Sequence, residues 1–476
     1  MATKEYDATP ARLGTGRIAF VLCVLLGINT MNFYDRQVLG VVGEPLRKHW
    51  NLDDRQLGQL GTAFVLLYAV VGVPLGRWAD VGKRTRILAV GILLWSVLTG
   101  LSGLAWSVTA LFLFRLGVGI GEASCAPAAN SLLGDFFPAQ KRARAISLFM
   151  LGLPLGLGLS SVVSGEVAQR YGWRAALLVA GVPGLLLGLL VLAIPEPPRG
   201  AAEKHAVGAA RRQGSPLLAV LRIPTMWWII LSGALHNFNM YALGHFLAPL
   251  LERYYGLTTR GAGWVGGLVY GLGGAMILLG GWACDRASRR RVNGRLEVAT
   301  AALLLATPCI YLALRQPRGE VVPFTAWLLP GYALFYFYYA GVYATIQDIV
   351  EPALRGTAMA LYFFAMYLLG GAMGPYATGW VSDYCANRAR AAEVSPAGAV
   401  ASLAVPPEAP FPANLAWAAL AEHTKKEAAA RATGLHDAMY LVPVLAAALV
   451  LVMFLASRTV RADHERLQKW MQSGPE

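Results

Sequence analysis

Apolar runs of about 20 residues recur from one end of this chain to the other, and each is long enough to cross the hydrocarbon core of a bilayer. Their number and spacing point to an all-α integral membrane protein with about twelve transmembrane helices. The first six spans fall at approximately 17–42, 56–79, 85–105, 108–134, 142–165 and 173–194. The second six fall at approximately 225–250, 261–284, 297–315, 322–347, 356–382 and 435–457. Between them, Pro195-Glu-Pro-Pro-Arg-Gly opens a polar linker that reaches Pro224. The chain therefore divides into an N-terminal six-helix half (1–194), a linker (195–224) and a C-terminal half (225–476) with a long loop at 383–434. Only 14% of the residues are charged and 56% are hydrophobic, which excludes a soluble multidomain protein and disorder alike.

A net charge of +14 would suit a nucleic-acid partner, but its distribution argues against one. The positive residues sit in short connectors between spans, with no basic domain interleaved with aromatics. Lys83, Arg84 and Arg86 follow span 2, Lys141, Arg142 and Arg144 follow span 4, and Arg286, Arg289, Arg290 and Arg291 follow span 8. Cytoplasmic connectors carry the excess of Lys and Arg, so both termini are expected in the cytoplasm. The connector after span 1, with Arg47, Lys48 and Arg55, runs against this pattern. The first apolar run continues past Met31 with no cleavage pattern and is expected to be a span rather than a leader. Five scattered cysteines have no metal-type spacing, and the Gly-rich runs lack a Gly-Lys-Ser/Thr ending. No metal, catalytic residue or cofactor is expected, and ATP drive is not.

The stretch from Phe114 to Asn130 lies inside an apolar span yet carries Arg115 and Glu122. Seven positions is about two helical turns, so both side chains fall on nearly one face. An unpaired charge facing lipid costs at least ~2.5–3.5 kcal/mol, so that face should look at protein or at a water-filled cavity. A fixed ion pair stapling two helices is the plain alternative to a functional site.

An internal repeat is visible. Gly76-Arg-Trp-Ala-Asp80 ends span 2 and Gly281-Trp-Ala-Cys-Asp285 ends span 8, each followed by basic residues. Two like-oriented six-helix halves form the parallel-repeat arrangement of one large class of secondary transporters. The repeated Gly-x-x-x-Asp with its basic cluster resembles the loop signature of the major facilitator superfamily. The second copy, Gly281 through Asp285-Arg286 to Arg289, has the usual spacing. The first is one residue shorter between Asp80 and Lys83-Arg84 and lacks the customary Arg after the Asp.

Within that superfamily the N-terminal half resembles the spinster-like (sphingolipid and lysophospholipid) transporters. The resemblance rests on Asn32-Phe-Tyr-Asp35-Arg36, on Gly117-Val-Gly-Ile-Gly-Glu122-Ala-Ser and on Gly134-Asp-Phe-Phe-Pro138. It implies a proton-coupled transporter of an amphiphilic, lipid-like substrate, with Asp35 and Glu122 in proton coupling. Arg36 and Arg115 would then be their charge partners and contacts for the substrate head group. Bacterial members carry a similar Pro-Glu-Pro-Pro-Arg element, and a bacterial inner membrane is expected. Depth supports the pairing: at ~1.5 Å per residue, Asp35 and Arg115 lie about 10 Å from the outer ends of their spans, with Glu122 deeper. Asp35 can therefore pair with Arg115.

The second half supplies a different lining. Tyr332, Tyr336, Tyr339, Tyr343 and Gln347 recur at three- and four-residue steps in span 10, and Asn237, Tyr241 and His245 form a stripe in span 7. With Asn32 and Tyr34 of span 1, Asn237, Tyr241, Tyr336, Tyr339, Tyr343 and Gln347 are the expected substrate wall; packing is the alternative. Gly76, Asp80, Lys83, Arg84, Gly281, Asp285, Arg286 and Arg289 are expected to form a conformational gate whose ion pairs cross between the halves. A proton-coupled symporter of small organic anions remains open as a function, as does a transport-inactive receptor or scaffold. The partners expected are a lipid or organic-anion substrate and the membrane, with the chain a monomer. In the 383–434 loop, Glu393 to Pro412 reads as extended, and 413–432 as a short amphipathic helix lying on the outer membrane surface.

Overall fold

The computed structural model describes residues 15–137, 139–198, 215–351, 354–393 and 413–473. Twelve helical rods run through it. In the first half they are α1 (Thr15–Val41), α2 (Asp54–Val81), α3 (Arg84–Gly103), α4 (Val108–Phe136), α5 (Arg144–Tyr171) and α6 (Trp173–Val191). In the second they are α7 (Pro224–Arg253), α8 (Thr259–Ser288), α9 (Gly294–Leu314), α10 (Val321–Ile349), α11 (Arg355–Ala391) and α12 (Leu441–Ser473). Ten stretches are long and apolar enough to cross a bilayer by length and composition, and α2 and α7 complete the set. Exposed Leu, Val and Trp side chains stud the outside of the bundle, as a lipid-facing surface requires.

The turns follow from local chemistry. Asp53 caps α2 by accepting from the Gln56 N–H at 2.6 Å, while Gln56 accepts from the Asp53 N–H, a reciprocal capping box. Gly172, at φ +84°, makes the sharp turn between α5 and α6 that a side chain would disfavour. Because the rods alternate in direction, the start of α1 and the end of α12 reach one face, called here the terminal face.

The halves meet mainly through α2 against α11 and α5 against α8. Small residues let the backbones touch. A Cβ on Gly165 would stand 3.1 Å from the Gly263 Cα, and one on Gly274 would stand 2.2 Å from the Pro154 side chain. The closest backbone approaches between the halves lie toward the face opposite the termini. There a Cβ on Gly379 would stand 2.1 Å from the Asp54 carbonyl oxygen, and one on Gly58 2.3 Å from that of Pro375. The structure is therefore sealed at the opposite face.

One expectation changes here. The segment Ala413–Ala438 is a helix, but it does not lie flat on the membrane. It packs antiparallel against the continuation of α11, which runs on as helix to Glu393. Gly434 fits against the backbone of Ser382 and Ala386, and Arg390 reaches Glu427 at 3.5 Å. An antiparallel partner with a small-residue contact offers this polar helix more than a bilayer surface does. Residues 394–412, expected to be extended, lie outside the described residues. Among its described residues the linker contains a short helix, Pro216–Leu221.

Candidate functional site

The site is built on the middle of α1. Its residues 32–36 project polar groups toward α4, which bends at Ala123–Ser124 and so presents Glu122 to the interior. Glu122 and Asp35 are essentially inaccessible to solvent, as is Arg115. The Arg36 Nε donates to Glu122 Oε2 at 3.0 Å, and Asn32 Nδ2 donates to the same oxygen at 2.8 Å. The guanidinium of Arg36 also lies 4.3 Å from the Tyr68 ring centroid. Arg36 Nη1 then crosses to the other half, where it donates to the hydroxyls of Tyr241 on α7 and Tyr367 on α11, both at 3.3 Å.

This differs from the pairing expected from depth. The ion pair is Arg36 with Glu122, whereas Arg115 Nη2 donates to the backbone carbonyl of Asp35, not to its carboxylate, at 3.0 Å. Asp35 and Arg36 are neighbours on a helix and point about 100° apart, so only one of them can face Glu122. Among the described residues, Asp35 Oδ1, Glu122 Oε1, and Arg115 Nε and Nη1 are buried without a protein hydrogen-bond partner.

A cavity between the halves opens beside this cluster, lined by Arg36, Arg115, Asn237, Tyr241 and Tyr339 among the expected residues. Its free volume of about 80 Å³ is several-fold below the roughly 300–1,000 Å³ of a small-molecule site, so only a head group or a few waters fit at its apex. The other expected wall residues lie elsewhere. Asn32 is engaged with Glu122, and Tyr34 accepts from Ser164 Oγ at 3.0 Å, within its own half. Tyr336 is fully buried against Gly273. Tyr343 packs against Tyr362 and Phe363, and Gln347 lies further toward the terminal face. A three-and-four-residue stripe marks one face of α10, but that face is shared between cavity and core. Gln37, Phe64 and Tyr68 join the site with no pattern in the sequence to mark them, as does Tyr367, which sits in a π-helical turn at Met366–Gly371. Such turns gather at functional sites.

The expected gate residues make no ion pair between the halves in this conformation, among the described residues. Arg84 pairs with Asp135 of its own half and with Glu196 at the start of the linker, the latter at 2.8 Å. Burial opposes the charge of Glu196, but hydrogen bonds from Thr85 and Arg84 hold its carboxyl below the ordinary glutamate range. Asp285 meets Arg295 at 3.4 Å inside the second half, and Arg295 also pairs with Asp348. The side chain of Asp80 lies outside the described residues. Lys83, Arg286 and Arg289 are exposed, and a Cβ on Gly76 or Gly281 would meet open space. Among the described residues no ion pair crosses between the halves near the terminal face.

The crossing ion pairs are at the opposite face instead. Arg253, ending α7, donates to Glu44 Oε2 at 2.5 Å and to both oxygens of Asp54 at 2.7 and 2.8 Å. Ser382 Oγ adds a hydrogen bond to Asp54 at 2.6 Å. Burial works against the charge of Glu44, but a hydrogen bond from Arg47 and the charge of Arg253 keep its carboxyl below the usual range. This explains the irregular charge of the first connector: Arg47 forks onto Glu44 at 2.8 and 2.9 Å, so its charge is locally answered.

Two six-helix halves, sealed at one face around a buried charge cluster, define a secondary transporter that works by exposing one site alternately. The Major Facilitator Superfamily model matches residues 25–375, and the chain belongs to that superfamily. It is a spinster-like member and a transporter, not an enzyme. Protein spinster homolog 1 of Rattus norvegicus is 31% identical over 402 residues, covering 78% of this chain and 74% of that one. An MFS-type efflux pump of Mycolicibacterium smegmatis is 30% identical over 375 residues, covering 78% and 86%. The crystal structure of a bacterial homologue of the human lysosomal transporter Spinster, inward-facing and unoccupied, superposes with a TM-score of 0.80 at 29% identity over 94% of this chain and 98% of that one.

Proposed function

We propose that the protein is a proton-coupled carrier of an amphiphilic, lipid-like molecule with an anionic or zwitterionic head. The observation that carries this reading is the position of Arg36. It holds Glu122 in one half and two phenols of the other, so a change at Glu122 is felt across the interface that must open and close. When Glu122 takes a proton, Arg36 loses its charged partner and becomes available to a head group. When the head group leaves, the carboxylate reclaims Arg36 and the proton is released. Asp35 is a second buried acid beside Arg115, and the free oxygen on each carboxyl is where a proton would sit.

The terminal face is read as cytoplasmic, because the basic connectors lie there. The conformation sealed at the opposite face is then inward-facing, with the chain a monomer in a bacterial inner membrane. Substrate class is supported by the similarity to spinster homologues. Reconstituted vesicles with an imposed pH gradient test the reading. Lysophospholipid movement that depends on the gradient is the expected result; gradient-driven uptake of a small sugar acid with no lipid movement would replace it with an organic-anion symporter.

A further inference from the structure

A second cavity, of about 420 Å³, lies at the face opposite the termini and shares no lining residue with the one beside the Arg36 cluster. Its walls come from both halves: Arg55 from the start of α2, and Trp380, Asp383, Tyr384, Arg390 and Arg431 from α11 and the helix that packs against it. The volume is that of a site for a small ligand or a head group.

The acids in and around it are already engaged. Asp383 accepts the Asp54 and Arg55 backbone N–H groups at 3.0 and 2.8 Å, and Asp53 accepts that of Gln56. Glu427 accepts from Arg431 at 2.9 Å and from Arg390 at 3.5 Å. Donors are left over. The Arg55 side chain has no acidic partner among the described residues, and Arg390 Nε is buried with no acceptor. Spare guanidinium N–H groups beside filled carboxylates suit an oxyanion with several oxygens, above all a phosphate.

The mouth of the cavity says where that phosphate comes from. Trp380 and Tyr384 stack one turn apart on α11, with ring centroids 6.1 Å apart, and both are more than half exposed. Paired Trp and Tyr at the end of a span mark head-group depth. We infer that this cleft binds the phosphate head group of an anionic phospholipid, which clamps α2 to α11 and so favours the conformation sealed at this face. This inference does not depend on which substrate the central cavity carries.

The test uses the purified full-length protein in a neutral detergent and reads its thermal unfolding midpoint. The probes are dioctanoyl phosphatidylglycerol, dioctanoyl phosphatidylcholine, glycerol phosphate and inorganic phosphate. The expected result is a saturable rise of the midpoint with phosphatidylglycerol and none with phosphatidylcholine, since a ligand of the native state stabilises it by mass action. Arg55→Gln should lose most of that rise while unfolding at the wild-type temperature without lipid, and Arg390→Gln should do the same. Should Arg390→Gln fail to fold, the exposed Arg55 carries the test. A rise of equal size with glycerol phosphate or inorganic phosphate would overturn the lipid and leave a soluble phosphate site. No rise, or one undiminished in Arg55→Gln, would overturn the site altogether.

Discussion

Arg36 and Glu122 form the buried ion pair at the centre of the molecule, 3.0 Å apart and 86 residues apart in sequence. Every other feature of the central site is arranged around that contact. Asn32 steadies the carboxylate, while Tyr241 and Tyr367 tie the guanidinium to the second half.

Glu122→Gln removes the charge and keeps the shape, so substrate binding should persist. Uptake in vesicles should lose its dependence on a pH gradient. Taking one partner from a buried pair costs about 3–5 kcal/mol, so expression and unfolding temperature are to be checked first. An unchanged pH response in the folded variant would remove Glu122 from the coupling.

Arg115→Lys tests the planar fork. Arg115 Nη2 holds the Asp35 carbonyl, and Nε and Nη1 have no partner among the described residues. A lysine keeps the charge but cannot hold the carbonyl and offer two further donors at fixed angles. Substrate affinity measured by competition binding should fall about tenfold, roughly 1.4 kcal/mol. Wild-type affinity would sink this role.

Arg253→Met breaks the two ion pairs that Arg253 makes to the first half. It leaves Glu44 and Asp54 without the cation that bridges them, at a cost to the sealed state of about 3–5 kcal/mol. Spin-label distances across the opposite face should lengthen and net transport should fall. If the distances stay as in the wild type, the ion pairs are not what seals that face.

The same seal has a predictable pH response. The Glu44 carboxyl is held below its ordinary value of 4.5 in this conformation. A depressed value means that its contribution is complete above the ordinary value and is lost as pH falls through the depressed one. The part of the seal that Glu44 supplies should therefore stay constant between about pH 7 and about pH 5 and be lost only in stronger acid. Opening near neutral pH would point to a different group.

Glycine substitutions separate the two faces. Gly379→Ala puts a Cβ 2.1 Å from the Asp54 carbonyl oxygen and must push α11 from α2, whereas Gly281→Ala meets open space. Overpacking of this kind costs about 1–3 kcal/mol. Gly379→Ala should thus shift the label distances toward the open form. Gly281→Ala should leave this conformation unstrained, so any effect it has on transport rate reports a different conformation.

The sequence by itself determined the membrane setting, the twelve-rod plan and the two-fold repeat. Hydrophobic length and glycine placement are local quantities, and a bilayer allows few solutions to them. It also marked Asp35, Arg36, Arg115 and Glu122, because a charge inside an apolar run stands out wherever the chain later goes. Only the tertiary structure decided which of these charges meet. A step of one residue turns a side chain about 100° around a helix, so whether Asp35 or Arg36 faces Glu122 depends on how α1 is rotated against α4. The same holds for α10, whose tyrosine stripe is split between cavity and core by a rotation that periodicity cannot fix. The sealing contacts of Arg253 with Glu44 and Asp54 join positions about 200 residues apart. They exist only because the two halves close on each other at one face and part at the other.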